Sequence, residues 1–251
     1  MQLITLNTWG GRVGREALGQ FFETYRDHTD VICLQEIWNG SDVDLATGQP
    51  IKLEQVIDDG VDFLTAILPN YNLYFRPHYH DYGILTAVQR NLKVISEGEQ
   101  FVHQHKNFIP AGEAGHHARN IQHLTFDING QPLTIINFHG LWNGQGKGDT
   151  PDRLEQSRRI LEYTSTLNHP YIMCGDFNLT PDTQSIKILE QSGLRNLITE
   201  YGITSTRTSH YTKEPKFADY ILVSDGIEVQ GFEVLPEEVS DHAAIRLEFD
   251  I

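Results

Sequence analysis

Six apolar segments of this sequence end or begin on a side chain that can hold a cation or move a proton. LITLN ends on Asn7, VICLQE on Glu36, TIINFH on His139, and YIMCGDFN on Asp176 and Asn178. Asp219 opens ADYILV, and Asp241-His242 precedes the last apolar run. An ionised acid at the edge of a buried strand costs desolvation unless a donor or cation compensates it. Several acids together also repel one another. A hard divalent cation resolves both problems, because it takes oxygen ligands from carboxylates and amides. An imidazole beside an acid can manage a proton near neutral pH. Each residue alone has a plain explanation: Asn7 and Asn178 as turn formers, Glu36 on the surface of an alternating strand, Asp241-His242 as a loop pair. Their ordered recurrence at segment ends points instead to a site that holds a divalent cation.

The elements that must position these residues alternate short apolar strands with amphipathic helices. Strands are expected over QLITLNTW, DVICLQEIW, YNLYFRP, GILTAVQRN, KVISEGEQF, NIQHLTFDING and QPLTIINFHG. Asn129-Gly130 predicts a tight hairpin between the last two. Helices are expected over residues 15–28 and 52–68, and from Thr150-Pro151-Asp152 to about residue 167. There Thr150 serves as N-cap and Pro151 as first helical residue. Thr180-Pro181-Asp182 repeats that start signal, and Gly193 is a stop. Residues 210–235 read as strand-rich, and DHAAIRLEFDI closes as a strand. Strands outnumber helices and often adjoin in sequence, which predicts packed sheets flanked by helices rather than a doubly wound parallel sheet.

Length and composition agree. The 251 residues carry no repeat, low-complexity segment or linker, so a single domain over 1–251 is the economical reading. Neither a signal peptide nor a membrane-length apolar run is visible, which sets a cytoplasmic expectation. The two cysteines, Cys33 and Cys174, read as buried reduced thiols, with a disulfide left open. A net charge of −15 argues against a broad basic face coating nucleic acid, but not against local contact with a phosphate.

LNTWG, LQE, NFHG, GDFN, ADYILVS and SDH, in this order from Asn7 to His242, resemble the motifs of the endonuclease/exonuclease/phosphatase superfamily. That group includes pancreatic deoxyribonuclease, abasic-site endonucleases, sphingomyelinases and inositol polyphosphate phosphatases. The resemblance implies an α/β (α+β) fold: a four-layer α/β sandwich like pancreatic deoxyribonuclease, two packed, mainly antiparallel sheets with helices outside. It implies Mg²⁺ or Mn²⁺ held by Glu36 and Asn7, with Asp241 completing or sharing the site. Asp176 and Asn178 would orient the attacking water and the scissile phosphate. His242 would act on the phosphate as general base or donor, held in its tautomer by Asp219. His139 would contact the phosphate from the other side and assist the leaving group. Arg119 and Tyr82 are similar to an arginine and a tyrosine that bind it. The chain departs from the family in places. Phe217-Ala218-Asp219 stands where relatives carry Arg-Ile-Asp, one cation fewer, and Ala243-Ala244 follows His242 where relatives are bulkier. GDFNLT and FADYIL argue against the inositol phosphatase branch.

The expected activity is divalent-metal-dependent phosphoester hydrolysis by a phosphodiesterase or nuclease. A phosphomonoesterase or a sphingomyelinase-like lipid phosphodiesterase is the alternative, and a non-catalytic binding module on the same fold the alternative of another class. Nucleic acid, a phospholipid head group and a small phosphodiester all remain open as substrate, and no protein partner is implied. A dinuclear metallophosphoesterase is disfavoured, because its Asp-x-His and Gly-Asn-His blocks are missing. The pairs His78/His80, His103/His105 and His116/His117 then read as loop and strand-surface residues, some of them with a secondary role near substrate left open. The glycine-rich stretch after His139 reads equally as a mobile element over the site, with Trp142 and Lys147 touching substrate, or as a surface connection.

Overall fold

A computed structural model describes residues 1–40, 43–44, 49–50, 56–108 and 116–251. The chain alternates as expected. Strand β1 (Gln2–Asn7) leads through a 3-10 turn over Trp9–Gly11 to α1 (Arg15–Tyr25) and β2 (Val31–Trp38). A two-stranded ribbon, β3 (Val43–Asp44) and β4 (Gln49–Pro50), precedes α2 (Gly60–Ile67). Then come β5 (Tyr71–Tyr79), β6 (Tyr82–Gln89), β7 (Lys93–His103), β8 (Arg119–Ile128) and β9 (Gln131–His139). Helix α3 (Pro151–Thr164), β10 (Tyr171–Asp176), α4 (Gln184–Glu190), β11 (Arg195–Asn196) and α5 (Leu197–Glu200) follow. Strands β12 (Asp219–Val223), β13 (Glu228–Val234) and β14 (Ile245–Asp250) close the chain.

Two six-stranded sheets form, in the orders β13-β14-β1-β2-β6-β5 and β11-β12-β10-β9-β8-β7. Each has a single parallel pair, β1·β2 in the first and β9·β10 in the second; the remaining pairs are antiparallel. The period of two along a strand explains the layering. Leu3, Val31 and Cys33 face the second sheet and join its Ile135, Cys174 and Ile221 in one core. Their neighbours Ile4, Ile32 and Leu34 point the other way, onto Phe22, Phe63 and Leu64 of α1 and α2. Ile160, Ile186 and Ile198 bring α3, α4 and α5 onto the outer face of the second sheet. The result is the helix–sheet–sheet–helix sandwich that the residue pattern implied. Cys33 and Cys174 are buried free thiols. No helix among the described residues is long and apolar enough to cross a membrane.

Between the sheets, near one end, the apolar core gives way to a seam of amides. Gln35 donates to Asn137 Oδ1 at 2.7 Å, and Asn137 Nδ2 donates to the carbonyls of Leu34 and Leu85 at 3.2 and 3.1 Å. Thr86 donates to Gln122 Oε1 at 2.8 Å, and Gln122 to the Tyr74 carbonyl at 2.8 Å. Partners meet these buried amides except at Gln35 Oε1, which is buried with none.

Local signals held or failed for identifiable reasons. Ile128 pairs with Gln131 across Asn129 and Gly130, both at positive φ, as a two-residue hairpin requires. Thr150 caps α3 by accepting from the Arg153 amide, and Pro151 is its first residue. The helix expected over 52–68 begins only at Gly60, whose missing Cβ lets the backbone lie against the Trp38 carbonyl; residues 51–55 fall outside the described residues. Val56 and Ile57, the apolar residues that extended that helix in the sequence reading, are buried in irregular chain instead. The start expected at Thr180 falls three residues later. Thr183 is the cap of α4, and Thr180 accepts from it in the preceding turn. Helices α1 and α3 each end three residues short of their expected limits, at Tyr25 and Thr164.

Candidate active site

Strand direction alone brings the chemistry-bearing residues to one rim. In a parallel pair both carboxyl ends lie at the same edge, so β1·β2 sets Asn7 beside Gln35 and Glu36, and β9·β10 sets His139 beside Asp176. Strands antiparallel to these present their amino ends there. Asp219 at the head of β12 pairs with Asp176, and Tyr82 at the head of β6 pairs with Trp38. Arg119 heads β8 against β9, and His242 lies three residues ahead of β14, antiparallel to β1.

The side chains meet across the two sheets. Asn7 Nδ2 donates to Glu36 Oε1 at 3.2 Å and to Asp176 Oδ2 at 2.9 Å, so one amide joins a carboxylate of each sheet. Asp176 Oδ1 accepts from the Asn178 amide at 2.8 Å, and Asn178 Nδ2 donates to the Gly140 carbonyl at 3.3 Å. His242 Nδ1 lies 2.8 and 2.9 Å from the Asp219 oxygens, which makes it the protonated nitrogen. Its Nε2 faces Asp176 and Asp241, 3.6 Å from an oxygen of each. Thr206 donates to Asp219 Oδ2 at 3.1 Å and receives the backbone amides of Ala218 and Asp219. His139 Nε2 is 3.8 Å from Asp176 Oδ2. Arg119 is buried, with Nε on the Gly140 carbonyl at 3.0 Å and Nη1 on His78 Nε2 at 2.8 Å. Tyr82 packs on Trp38, ring centroids 4.4 Å apart.

Burial and charge set the protonation states. Burial raises the Glu36 carboxyl, against His242, Arg12 and the Asn7 amide. Burial would raise Asp176 too, but His242, His139, Arg207 and Lys147 together hold it below the usual carboxylate range. Burial would lower His242, yet Asp219 and Asp176 outweigh it and raise the imidazole. His139 and His78 are lowered by burial and by Arg119, so both stay neutral. The phenol of Tyr82 is raised by burial and by Glu36.

These groups open into a cleft of about 380 Å³. All the residues singled out in the sequence lie in it or directly behind it: Asn7 and Asp219 form its backing, and Glu36, Tyr82, Arg119, His139, Asp176, Asn178, Asp241 and His242 line it. The donor set suits a hard cation. Glu36 and Asp241 present carboxylate oxygens, and Asp241 Oδ1 is buried with no hydrogen-bond partner. Asp176, Asp219 and His242 also place ligand atoms within 4.8 Å of one another. Both Asp219 oxygens, however, are already engaged by His242, and Oδ2 also by Thr206, a proton-handling arrangement rather than an ion cage.

Sequence reading missed Arg207 and the buried place of His78, and it named Lys147 under only one of two readings of its loop. Arg207, in an irregular stretch with no motif, donates to Asp241 Oδ2 at 2.9 Å. Lys147 Nζ donates to the Phe217 carbonyl at 2.6 Å from inside the cleft, and burial, with Arg207 beside it, lowers it to about 8. The site therefore does not lack a cation where Phe217 replaces the family arginine. His78 is fully buried behind Arg119 and His103 is buried too, against the surface reading of those histidines. The stretch after His139 is tied at both ends: Arg153 donates to the Leu141 and Gly148 carbonyls at 3.1 and 2.6 Å, and Thr180 to the Lys147 carbonyl at 3.0 Å. Trp142 lines the cleft from this stretch.

Two six-stranded sheets carrying acids, amides and imidazoles on one shared rim define a class of fold and site that comparison with known proteins identifies. The model of the endonuclease/exonuclease/phosphatase family matches residues 4–242, and the chain belongs to that family. No curated protein matches the sequence. Among solved structures, a Bacteroides thetaiotaomicron mannosyl-6-phosphatase is similar at 18% identity, covering 100% of both chains, with a TM-score of 0.74. An endonuclease/exonuclease/phosphatase family protein from Leptotrichia buccalis is similar at 19% identity, covering 100% of both chains, with a TM-score of 0.75. D. rerio TDP2 complexed with a single-strand DNA product is similar at 16% identity, covering 100% of this chain and 99% of that one, with a TM-score of 0.71.

Proposed function

We propose that this protein hydrolyses a phosphoester by in-line attack of water, assisted by Mg²⁺ or Mn²⁺. One observation carries the reading: the Asn7 amide joins Glu36 to Asp176, while His242 bridges Asp176 and Asp241 to Asp219. Family membership supports the reaction class, and relatives of this fold include a phosphatase and a protein bound to a DNA product.

Glu36 and Asp241 would hold the cation, with Asn7 fixing the Glu36 carboxylate. The cation, when bound, neutralises phosphate charge and makes the phosphorus more electrophilic. His242 Nδ1–H donates a hydrogen bond to Asp219, which in the neutral imidazole leaves the Nε2 lone pair free to take a proton from the attacking water. Asp176, held ionised, orients that water through Oδ2. Asn178 turns its amide toward the phosphoryl oxygens. Arg119, fixed by Gly140 and His78, supplies a charged donor on the far side, and Tyr82 a neutral hydroxyl. His139, neutral and adjacent to Asp176, contacts the phosphate opposite His242.

The test is hydrolysis of bis(p-nitrophenyl) phosphate and p-nitrophenyl phosphate by protein stripped with chelator, then supplied with Mg²⁺, Mn²⁺ or Ca²⁺. Activity lost on stripping and restored by Mg²⁺ or Mn²⁺, but absent in His242→Ala, is expected. Protein inert with every metal on a wider panel of nucleic acids, lipids and sugar phosphates would favour the binding module.

A further inference from the structure

The cleft holds more positive charge than one phosphoester uses. The chain is acidic, at −15, yet Arg12, Arg119, Lys147, Arg207 and Lys213 all face the cleft, against Glu36, Asp176 and Asp241. These cations do not surround a single point. Arg119 stands at the head of β8. Lys147 is bonded to Phe217, two residues before β12, and Arg207 follows Thr206, which is bonded to Asp219 at the head of β12. Strands β9 and β10, which end in His139 and Asp176, lie between β8 and β12. Three strand spacings are about 14 Å. A phosphate held at His139 and Asp176 therefore has one cationic group on each side.

The donors on the β12 side are only partly used. Lys147 is 4% exposed, its ammonium makes a single hydrogen bond, and it forms no ion pair among the described residues. The Arg207 side chain is 4% exposed; its Nη1 is on Asp241, and its Nε is buried with no partner. Tyr211 lies under both, 4.2 Å from the guanidinium carbon and 5.1 Å from Lys147 Nζ. The ring attracts cations but accepts no full hydrogen bond from either. A buried charged donor left unmatched is costly, and an anion arriving with the substrate removes that cost.

We infer that the substrate is a compact phosphoester bearing a second anionic group (phosphate, sulfate or carboxylate), and that Lys147 and Arg207 receive this group beside Tyr211. The inference rests on the hydrolytic reading for the placement of the scissile phosphate. The cleft volume of about 380 Å³ suits a ligand of mononucleotide size. The acidic surface beyond the cleft repels a long polyanion, which sets the bis-anionic small molecule above a nucleic-acid strand.

Calorimetry on intact protein in EDTA, where neither ligand is turned over, tests this with thymidine 5′-monophosphate and thymidine 3′,5′-bisphosphate. The bisphosphate is expected to bind at least ~10-fold more tightly than the monophosphate, and Lys147→Met to bring the two within about 2-fold. Lys147→Gln, which keeps a donor for the Phe217 carbonyl, is expected to close the gap likewise, so misfolding of one variant does not decide the outcome. Equal affinities in the wild-type protein, a gap that survives both substitutions, or no binding of either ligand at millimolar concentration would overturn the inference. An oligothymidylate that binds more tightly than the bisphosphate would overturn its compact-substrate part. Failure of the hydrolytic reading is seen separately, in the metal-dependent assay.

Discussion

The two parallel strand pairs, β1·β2 and β9·β10, have the same setting in their sheets but reach the rim differently. Each pair takes a left-handed backbone step at its carboxylate or one residue before it. In β10 the left-handed step falls on Gly175, at φ 134°, one residue before Asp176. In β2 it falls on Glu36 itself, at φ 59°, where the register with β6 shifts between Leu34 and Ile37. Glycine adopts such a conformation freely, whereas a side-chain-bearing residue gives up about 1–2 kcal/mol. The electrostatics run the same way. Asp176 is surrounded by His242, His139, Arg207 and Lys147 and stays ionised, while burial raises Glu36. One half of the site is thus relaxed and compensated. The other is strained and only partly compensated: Arg12 lies 3.9 Å from Glu36 and the Asn7 amide donates to it, yet burial prevails, the condition that a bound cation relieves.

Breaking the strained half has the largest expected effect. Glu36→Gln is expected to lower metal-dependent turnover ~10³-fold or more and to weaken Mn²⁺ binding, read by steady-state kinetics and calorimetry. The same variant, free of metal, is expected to melt about 1–2 °C higher, because a half-buried charge that Arg12 and Asn7 only partly compensate is gone. A lower melting temperature would show that Glu36 is already compensated without metal. In the relaxed half, Gly175→Ala puts a Cβ against the Phe138 carbonyl at a φ that alanine resists. A stability loss of about 3 kcal/mol or more in urea denaturation is expected. A loss under 1 kcal/mol would mean that the backbone there has room to adjust.

Asp219→Asn sharpens the comparison at the point where the halves join. Asp219 stabilises protonated His242 and so raises its pKa above the ordinary 6.5. The neutral base forms only as pH rises through that raised value, so the acid limb of kcat/KM in the wild-type protein lies above pH 6.5. In Asp219→Asn the limb is expected to move to lower pH, with turnover at its plateau down about 10²-fold. Activity that falls instead of rising through this range would make His242 a proton donor to the phosphate.

Much of this was legible because strand ends announce themselves. The runs closing on Asn7, Glu36, His139 and Asp176 are apolar on both faces, so a polar terminus stands out. Pairing direction then dictates that these termini meet. Arg207 gave no such signal, since it sits in irregular chain and reaches the cleft only through the fold, and Lys147 was marked only by the glycine-rich stretch that carries it. His78 was misread because alternation along YNLYFRPHY does not reveal that the end of β5 dips under Arg119. Helix α2 was overextended because Val56 and Ile57 continue its apolar spacing, yet bury their side chains without helical backbone. Thr180 and Thr183 carry equal capping chemistry, and only the packing of Ile186 and Leu189 selects the second.

The amide seam beneath the rim has a consequence for how such a centre can drift. Packed apolar faces resist sliding, but their contacts are non-directional and name no particular partner. Gln35, Asn137, Thr86 and Gln122 instead mesh like gear teeth, with each amide committed to a named partner. A slide of one sheet along the other would break these bonds with no equivalent partners to replace them, and would part the carboxylates that Asn7 now joins.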